Sequence, residues 1–427
     1  MATRVMKFGG TSVADPDRIR NAARRVAEAR SEGHRIAVVV SAMGHATDSL
    51  IELAGTVARN PSRRELDALM STGEAVSAAL TAMALEDQGL AARSLNAFQC
   101  RMQTDAAFGR ARLTGVDTRT LNELLDSGVT PVITGFQGVS DSGDLTTLGR
   151  GGSDTTAVAI AAALQVQKLG GCCEIYTDVD GVHTADPRLV PNAPKLGTIT
   201  YDEMLELAAV GADVMHTRAV IFGQRYGVPI HVRHSQRPEP GTMIQLETPH
   251  MESIAVIGCA LKPDLGRVHL QGLPRTAGIQ GKVFSAIAAA GLIVDDIIQT
   301  ESPGGVDLAF TVGHQDLPEV KVAVSEVLKQ IGSGRIDLEV GLAKVSAVGT
   351  GMRSHAGVAG RMFQVLGDAG IPIRNITTSE IRISCLVPKE HGEVALRLVH
   401  ETFGLALGER VTLAHQVSTP SIASCDR

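Results

Sequence analysis

The fold is decided near the N-terminus by the stretch Arg4-Val5-Met6-Lys7-Phe8-Gly9-Gly10-Thr11-Ser12. Its first half predicts a buried β-strand, and the two glycines predict a tight turn at the carboxyl end of that strand. Glycines let backbone N–H groups approach a ligand closely, and Lys7 adds a positive charge. The stretch therefore predicts an anion site, although a Gly-Gly pair after a strand is on its own more often a plain turn.

The residues after this strand predict a βαβ unit. Pro16–Ser31 carries apolar residues at helical spacing with Asp15 as the N-cap, and Arg35–Ser41 is a second buried strand. The alternation continues and predicts a mostly parallel sheet covered by helices over about the first 230 residues. Further predicted strands are 130–136, 174–177 and 229–232, and further predicted helices are 65–87, 155–165 and 202–210.

A second glycine-rich loop, Gly149-Arg150-Gly151-Gly152-Ser153-Asp154-Thr155-Thr156, precedes an alanine-rich helix. A helix N-terminus presents unpaired N–H groups and the positive end of the helix dipole, so it favours a phosphate or a carboxylate. A simple cap by Ser153 or Asp154 is the alternative, but three glycines beside an arginine exceed what a cap requires. The loop is neither a Walker A element nor a dinucleotide fingerprint, because Asp154 stands where the third glycine would be.

Three weaker polar clusters also follow apolar segments. Thr177–Arg188 contains three aspartates just after a predicted strand, where ligands bind in parallel sheets, but turns are the default interpretation of one such cluster. Ser41–Thr47 and Ser71–Glu74 offer hydroxyls and a carboxylate. Ordinary helix caps explain both of them equally well.

The C-terminal part of the chain follows a proline-rich break and repeats itself. Three prolines and a glycine between residues 236 and 252 predict a domain boundary. Beyond it, adding 79 maps seven residues onto identical ones, among them Gly278 onto Gly357 and Phe284 onto Phe363. This offset indicates duplication of a small βαββ-type unit. The polar residues 416–427 predict a loose tail.

Composition excludes several classes of protein. The 427 residues carry a net charge of −6, only 3% are aromatic and none is tryptophan, which disfavours a nucleic-acid-binding protein. No uninterrupted apolar run reaches the roughly 18 residues of a membrane helix, and the N-terminus lacks a signal-peptide pattern, so a cytoplasmic protein is predicted. The six cysteines lack CxxC spacing and are interpreted as reduced thiols.

Four motifs, in this order, resemble the signatures of the aspartokinase family: Lys7–Val13, Ser71–Glu74, Gly149–Thr156 and Tyr176–Gly181. The duplicated part resembles the paired ACT modules of that family, including 351–355 and 378–381. The resemblance covers nearly the whole chain. It implies an α/β fold with an N-terminal amino-acid-kinase (carbamate-kinase-like) αβα sandwich, whose sheet is mostly parallel, and two C-terminal ferredoxin-like ACT (βαββαβ) units. It implies a catalytic domain over 1–245, ACT domains over 253–335 and 336–415, and a flexible tail over 416–427.

The resemblance also implies a reaction: phosphorylation of the L-aspartate β-carboxylate by ATP with Mg²⁺. The product, 4-phospho-L-aspartate, belongs to the first step of lysine, threonine and methionine biosynthesis. A carboxylate with a pKa of about 3.9 is already an anion at pH 7 and needs no general base, so no Ser-His-Asp or Cys-His arrangement is required. The chemistry reduces to positioning and charge neutralisation.

Residue roles are carried over from the matching family positions. Arg150 is implied to hold the substrate α-carboxylate, with Glu74 and Asp154 at the ammonium group, and no metal ligand is assigned. The residues implied in catalysis are Lys7, Gly9, Gly10 and Asp154. Those implied in substrate binding are Ser41, Thr47, Glu74, Arg150, Ser153 and Asp154. Those implied in the nucleotide pocket are Lys7, Gly10, Thr177, Asp178, His183, Asp186 and Arg188.

The duplicated part is implied to regulate the enzyme. Asp295, Gln299 and Asp307 match effector-contact positions of the family, which implies feedback inhibition by lysine, threonine or both. The alternative, that Asp295 and Asp296 simply end a helix-to-strand connection, explains these aspartates equally well. The resemblance further implies a homodimer or higher oligomer formed through the ACT domains, with no nucleic-acid or membrane partner.

Two departures from the family pattern leave alternatives open. Asp213 stands where the family usually has a lysine near the ATP phosphates. Three explanations stay open: another cation such as Arg218 or Arg188 takes over, Asp213 recruits Mg²⁺, or the enzyme is slow. His183 stands where tyrosine is more frequent. The rival functions are a kinase for another small acid, such as glutamate or acetylglutamate, and a catalytically weak ACT amino-acid sensor.

Overall fold

The computed structural model describes residues 2–212, 214–247, 255–353 and 355–407. Within these ranges the chain forms two compact units. Unit 1 contains the described residues up to 247 together with Ala260–Lys262, and unit 2 contains the remaining described residues. The predicted tail 416–427 and Asp213 lie outside the described residues.

Unit 1 alternates strands and helices as the sequence predicts. Its strands are β1 (Thr3–Phe8), β2 (Arg35–Val40), β3 (Ala92–Leu95), β4 (Met102–Thr104), β5 (Leu113–Val116), β6 (Thr130–Thr134), β7 (Gln137–Val139), β8 (Leu145–Thr147), β9 (Cys173–Thr177), β10 (Thr198–Thr200), β11 (Ile230–His234) and β12 (Thr242–Gln245). Its helices are α1 (Pro16–Ser31), α2 (Ala46–Val57), α3 (Arg63–Asp87), α4 (Arg119–Asp126), α5 (Gly152–Ala163), α6 (Tyr201–Ala209) and α7 (Thr217–Tyr226).

The main sheet of unit 1 has the strand order β10-β12-β11-β9-β1-β2-β6-β3. β1 pairs in parallel with β2 on one side and with β9 on the other. The chain therefore builds the sheet first to one side of β1 and later to the other, and β1 lies at the switch point. The carboxyl ends of β1, β2 and β9 meet at one edge, which is where open α/β sheets bind ligands.

Helices cover both faces of this sheet. Met6 and Phe8 of β1 pack with residues of α1 and α3 in one apolar core. Because side chains alternate along a strand, Lys7 points to the opposite face, where α5 packs against β1. Asp15 caps α1 as the sequence predicts, since its side chain accepts a hydrogen bond from the Arg18 backbone N–H at 2.9 Å.

Helix α3 is the one described helix that is long and apolar enough, by length and composition alone, to cross a membrane. Half of its most apolar window is buried inside the protein. It also carries two buried carboxylates, Asp67 and Glu74, on the buried side. These features are those of a core helix of unit 1.

A smaller sheet with the order β5-β4-β7-β8 adjoins the start of α5. β7 and β8 form an antiparallel pair in which Gln137 lies opposite Thr147. The loop that leaves β8 contains the second glycine-rich motif and leads directly into α5. The small sheet therefore fixes where that motif begins.

Unit 2 contains one six-stranded sheet with the order β14-β15-β13-β16-β18-β17. Its strands are β13 (Gly258–Leu273), β14 (Asp295–Ser302), β15 (Gly305–Gly313), β16 (Arg335–Val348), β17 (Asn375–Thr378) and β18 (Arg382–Pro388). Its helices are α8 (Ile279–Ala289), α9 (Leu317–Ile331), α10 (Val358–Asp368) and α11 (Gly392–Thr402). The order βαββα occurs twice, and α8 and α10 are related by the predicted offset of 79 at both ends.

Candidate active site

The end of β1 holds the first part of the site. Lys7 is only 8% exposed, and its Nζ lies 2.6 Å from Oδ1 of Asp154 in the first turn of α5. Gly9 donates its backbone N–H to the Tyr176 carbonyl at the end of β9, at 3.1 Å. Two predicted glycine motifs and the strand before the third cluster therefore meet around Lys7.

Gly10 connects this turn to the loop after β2. Its carbonyl accepts a hydrogen bond from the Gly44 N–H at 3.1 Å, and a Cβ added to Gly10 would come within 3.0 Å of the Ala42 carbonyl. Ser41 and Thr47 lie on either side of this contact, both half-buried, with Thr47 in the first turn of α2. The Ser41 carbonyl accepts a hydrogen bond from Ser77 of α3 at 2.6 Å.

The second glycine loop is held in a conformation that requires glycine. Gly149 and Gly151 have φ values of 77° and 67°, in the left-handed region. A Cβ on Gly151 would also lie 2.1 Å from Cγ of His216. Gly151, without a side-chain bond, is the N-cap residue of α5, so the alternative of a simple cap by Ser153 or Asp154 is wrong. Ser153 is buried, Asp154 contacts Lys7, and Arg150 is exposed.

Glu74 brings a buried carboxylate to the same region. It is 3% exposed, and its Oε1 accepts a hydrogen bond from the Ala42 backbone N–H at 3.2 Å. Its Oε2 is buried and has no hydrogen-bond partner among the described residues. Burial raises the pKa of Glu74 from its usual 4.5 to about 7. A buried carboxylate with one unused oxygen suits a ligand that brings its own cationic donor.

The polar residues after β9 fall into two groups. Thr177 and Asp178 follow the Gly9–Tyr176 contact directly, and the Thr177 hydroxyl donates to Asp178 at 3.1 Å. His183 lies further along, with Nε2 2.9 Å from Oδ1 of Asp180 and Nδ1 3.0 Å from the Ala193 carbonyl.

Asp186 and Arg188 form a pair with each other. The Arg188 guanidinium approaches Asp186 to 2.6 Å and lowers the pKa of that carboxyl. The Arg188 side chain is 88% exposed. Asp186 and Arg188 belong to the same loop, whereas Thr177 adjoins the turn after β1.

The two arginines considered as substitutes for the missing lysine are already engaged. Arg218 donates to the Leu148 and Ala111 carbonyls, each at 2.8 Å, and so holds the backbone just before the second glycine loop. Arg188 is paired with Asp186. Asp213 itself lies outside the described residues.

The three effector positions of unit 2 have separate surroundings. Asp295 pairs with the almost completely buried Lys344 at 2.7 Å, and Lys344 also contacts Asp296 at 2.5 Å. Gln299 accepts a hydrogen bond from the Gln280 side chain at 2.7 Å. Asp307 accepts the Gly272 backbone N–H at 2.8 Å. Sequence reasoning did not find Lys344, whose buried position in β16 has no local signal.

The arrangement in unit 1 offers groups for both an anion and a cation. Lys7, the turn at Gly9 and the N-terminus of α5 supply positive potential, while Glu74 supplies a partner for a cation. Within the described chain no three or more His, Cys, Asp or Glu side chains gather as a metal site.

Comparison with known proteins agrees with this geometry. The family model of the Amino acid kinase family matches residues 2–234, and that of the ACT domain matches residues 345–403. The aspartokinase of Thermus thermophilus is 48% identical over 408 residues, which cover 95% of this chain and 99% of that relative.

Solved structures give the same result. Escherichia coli aspartokinase III in complex with aspartate and ADP (R-state) superposes with a TM-score of 0.76 at 27% identity, over 93% of this chain and 99% of that one. The same enzyme in complex with lysine and aspartate (T-state) gives a TM-score of 0.74 at 27% identity, over 94% and 99% of the two chains. Since an amino acid kinase fold is followed here by an ACT domain, and the identity to a known family member extends over nearly the whole length, the chain belongs to the aspartokinases and is an aspartate kinase.

Proposed function

We propose that this aspartokinase transfers the γ-phosphoryl group of ATP to the β-carboxylate of L-aspartate, with Mg²⁺, in the first step of lysine, threonine and methionine biosynthesis. We further propose that lysine, threonine or both inhibit it through unit 2. The observation that carries the catalytic part is the 2.6 Å contact between Lys7 and Asp154, which joins two glycine loops from distant parts of the chain.

The transfer needs no proton to be removed from the nucleophile. A β-carboxylate oxygen forms a bond to the γ-phosphorus while the bond from that phosphorus to the β,γ-bridging oxygen breaks, and ADP leaves with the electron pair. Lys7 neutralises charge on the phosphoryl oxygens, and Asp154 orients Lys7. Gly9 and Gly10 allow the phosphates to approach the backbone.

The amino acid is held by groups of opposite charge. Glu74 accepts from the ammonium group with its unpartnered Oε2, and Arg150 binds the α-carboxylate through its guanidinium fork. Ser41, Thr47 and Ser153 complete this pocket. Thr177, Asp178, His183, Asp186 and Arg188 line the nucleotide pocket. The E. coli complex with aspartate and ADP supports the pairing of these two ligands in one fold.

The residues present fit Mg²⁺ as a companion of the nucleotide. The hydroxyl of Thr177 and the carboxylate of Asp178 are oxygen donors of the kind that Mg²⁺ prefers, and they lie at the edge beside Gly9. Mg²⁺ usually keeps several waters and is shared with substrate phosphates, so a large carboxylate cluster is not required. When bound, Mg²⁺ neutralises phosphate charge.

Regulation is proposed to act through Asp295, Gln299 and Asp307, in an oligomer formed through unit 2. An acidic side chain suits the ammonium group of an amino acid effector. The complex of E. coli aspartokinase III with lysine supports an amino acid effector for this fold. Because Lys344 already contacts Asp295, an effector ammonium at this position competes with an internal cation.

The decisive activity measurement is ATP-dependent formation of aspartyl hydroxamate by the purified chain. We expect hydroxamate with L-aspartate, none above background with glutamate or acetylglutamate, and a several-fold reduction when lysine and threonine are added at millimolar concentration. Product from glutamate or acetylglutamate alone contradicts the assigned substrate. Activity that ignores both amino acids contradicts the regulatory part only.

Arg150→Lys is expected to raise the KM for aspartate about tenfold or more, with the KM for ATP within about twofold. Lysine keeps the charge but loses the planar fork that grips a carboxylate through two bonds. Steady-state kinetics with each substrate varied in turn gives both constants. Arg110→Lys, an exposed arginine of the small-sheet region, is the matched control. An unchanged KM for aspartate in Arg150→Lys refutes the role of Arg150.

A further inference from the structure

A second carboxylate of helix α3 is buried and contacts the strand that leads into the second glycine loop. Asp67 is 0% exposed and precedes Glu74 by seven residues, which is two helical turns, so both carboxylates lie on the same side of the helix. Asp67 belongs to none of the motifs and to none of the positions matched to the family. Its surroundings nevertheless connect it to the loop that bears Arg150.

Both oxygens of Asp67 are used. Oδ2 accepts the backbone N–H groups of Gly109 and Thr147, each at 2.8 Å, and Oδ1 accepts the Thr147 hydroxyl, also at 2.8 Å. In the described part of the chain it forms no ion pair with a lysine, arginine or histidine. The Asp67 carboxylate therefore holds Gly109 and Thr147 in place through these three hydrogen bonds.

These bonds fix the start of the second glycine loop. Thr147 ends β8, and the next carbonyl, that of Leu148, is held by Arg218 at 2.8 Å. Gly149 and Gly151 then turn the backbone through left-handed conformations on either side of Arg150. The Arg150 side chain is exposed, so its placement depends on the backbone that Asp67 holds at Thr147 and Arg218 holds at Leu148.

Helix α3 therefore contains Glu74, at one end of the proposed amino acid site, and Asp67, which supports the strand leading to Arg150 at the other end. Glu74 faces the loop after β2 through the Ala42 N–H, and Asp67 grips the strand that leads to Arg150. A rigid helix sets the separation between an anchor for the ammonium group and an anchor for the α-carboxylate. That separation decides which small amino diacid can occupy the site.

We propose that Asp67 is a positioning residue for aspartate binding, which acts through Thr147 to place Arg150 relative to Glu74. The inference rests on the proposed roles of Arg150 and Glu74. It adds a buried residue, outside the known motifs, that determines the affinity for the amino acid without touching it.

Kinetics of three variants test the proposal. Asp67→Ala removes all three bonds and is expected to raise the KM for aspartate at least tenfold, with the KM for ATP within twofold. Thr147→Val removes only the hydroxyl bond and is expected to raise the KM for aspartate about threefold. Asp67→Asn is expected to stay within about threefold of the unaltered protein, because its carbonyl accepts both N–H groups and its amide donates to the Thr147 hydroxyl oxygen.

A matched control separates positioning from loss of stability. Leu85→Ala, near the C-terminal end of the same helix, opens a cavity in the core and is expected to lower the Tm but to leave both KM values within twofold. If Asp67→Ala does not fold, Thr147→Val and Asp67→Asn carry the test. The proposal is overturned if the KM for aspartate in Thr147→Val stays within twofold of the unaltered protein. It is also overturned if Asp67→Ala raises the KM for aspartate and the KM for ATP equally.

The same kinetics separate the proposed substrate site from the proposed role of Asp67. If Arg150→Lys leaves the KM for aspartate unchanged, the proposed substrate site is wrong. If Arg150→Lys raises it while folded Asp67→Ala does not, the substrate site stands and the positioning role of Asp67 is wrong.

Discussion

Replacement of Lys7 by methionine is expected to lower kcat about a thousandfold. This loss is typical when a preorganised protein group that stabilises charge on the reacting group is removed. Lys7 emerges at the carboxyl end of β1, is 8% exposed and contacts Asp154 at 2.6 Å. Phosphoryl transfer to a carboxylate depends on neutralising charge rather than on removing a proton, so a neutral side chain of similar length leaves that charge uncompensated. Single-turnover transfer from ATP to aspartate measures the effect on chemistry.

The Lys7→Met variant needs a control for Asp154, the carboxylate that Lys7 contacts. Asp154 loses its cation in Lys7→Met, and an unpaired, largely buried carboxylate destabilises the fold by roughly 3–5 kcal/mol. The double variant Lys7→Met with Asp154→Asn removes that penalty and is expected to remain as inactive as the single variant. Lys168→Met, at an exposed lysine of unit 1, is the matched control with unchanged kcat. A kcat within tenfold of the unaltered protein in the folded double variant contradicts the role of Lys7.

The sequence predicts the site best where the functional residues directly follow a predicted strand. The strand predicted at 4–8 is observed as Thr3–Phe8, and the glycines after it meet β9 as a parallel switch point requires. The helix predicted from 155 starts at Gly152 instead. Ser153 and Asp154 have the composition of a cap, but the left-handed Gly151 takes that position, which brings Asp154 into the helix and toward Lys7.

The remainder depends on contacts between distant segments. β4 and β7 have three residues each, too few for a period of two to be recognised, and their partners are fixed only by the tertiary fold. The bonds of Asp67 reach residues 42 and 80 positions away. Its spacing of seven from Glu74 on a predicted helix is the one sequence signal that places it on the same face.

In the duplicated part, a fixed offset predicts α8 and α10 because each copy folds locally. It does not predict the pairing of Lys344 with Asp295 and Asp296, which joins strands from different copies. Local periodicity therefore predicts elements, whereas charge pairing across elements becomes visible only in the folded unit.

Glu74→Gln is expected to stabilise the substrate-free protein while weakening its binding of aspartate. Burial raises the pKa of Glu74 from 4.5 to about 7, so the folded state holds a proton that the unfolded state releases between these values. The stability contribution is therefore fully present below pH 4.5 and is lost as the pH rises through 7. A neutral glutamine avoids this loss, and at pH 8 we expect the free energy of unfolding to increase by roughly 3 kcal/mol.

The same ionisation governs the substrate. The ammonium group of aspartate needs the carboxylate form of Glu74, so the affinity of the unaltered enzyme for aspartate is expected to fall up to tenfold per pH unit below pH 7. In Glu74→Gln the KM is expected to rise about a hundredfold and to lose this pH dependence. Denaturant unfolding without substrate and KM measured from pH 6 to 8.5 give the two quantities, with Glu86→Gln, an exposed glutamate of α3, as the control. Only a carboxylate that is buried for binding, and not for the stability of the fold, lets one substitution raise the free energy of unfolding while it lowers the affinity for aspartate. A Glu74→Gln variant that loses stability and keeps its affinity for aspartate would show instead that Glu74 is a structural anchor of the loop at Ala42.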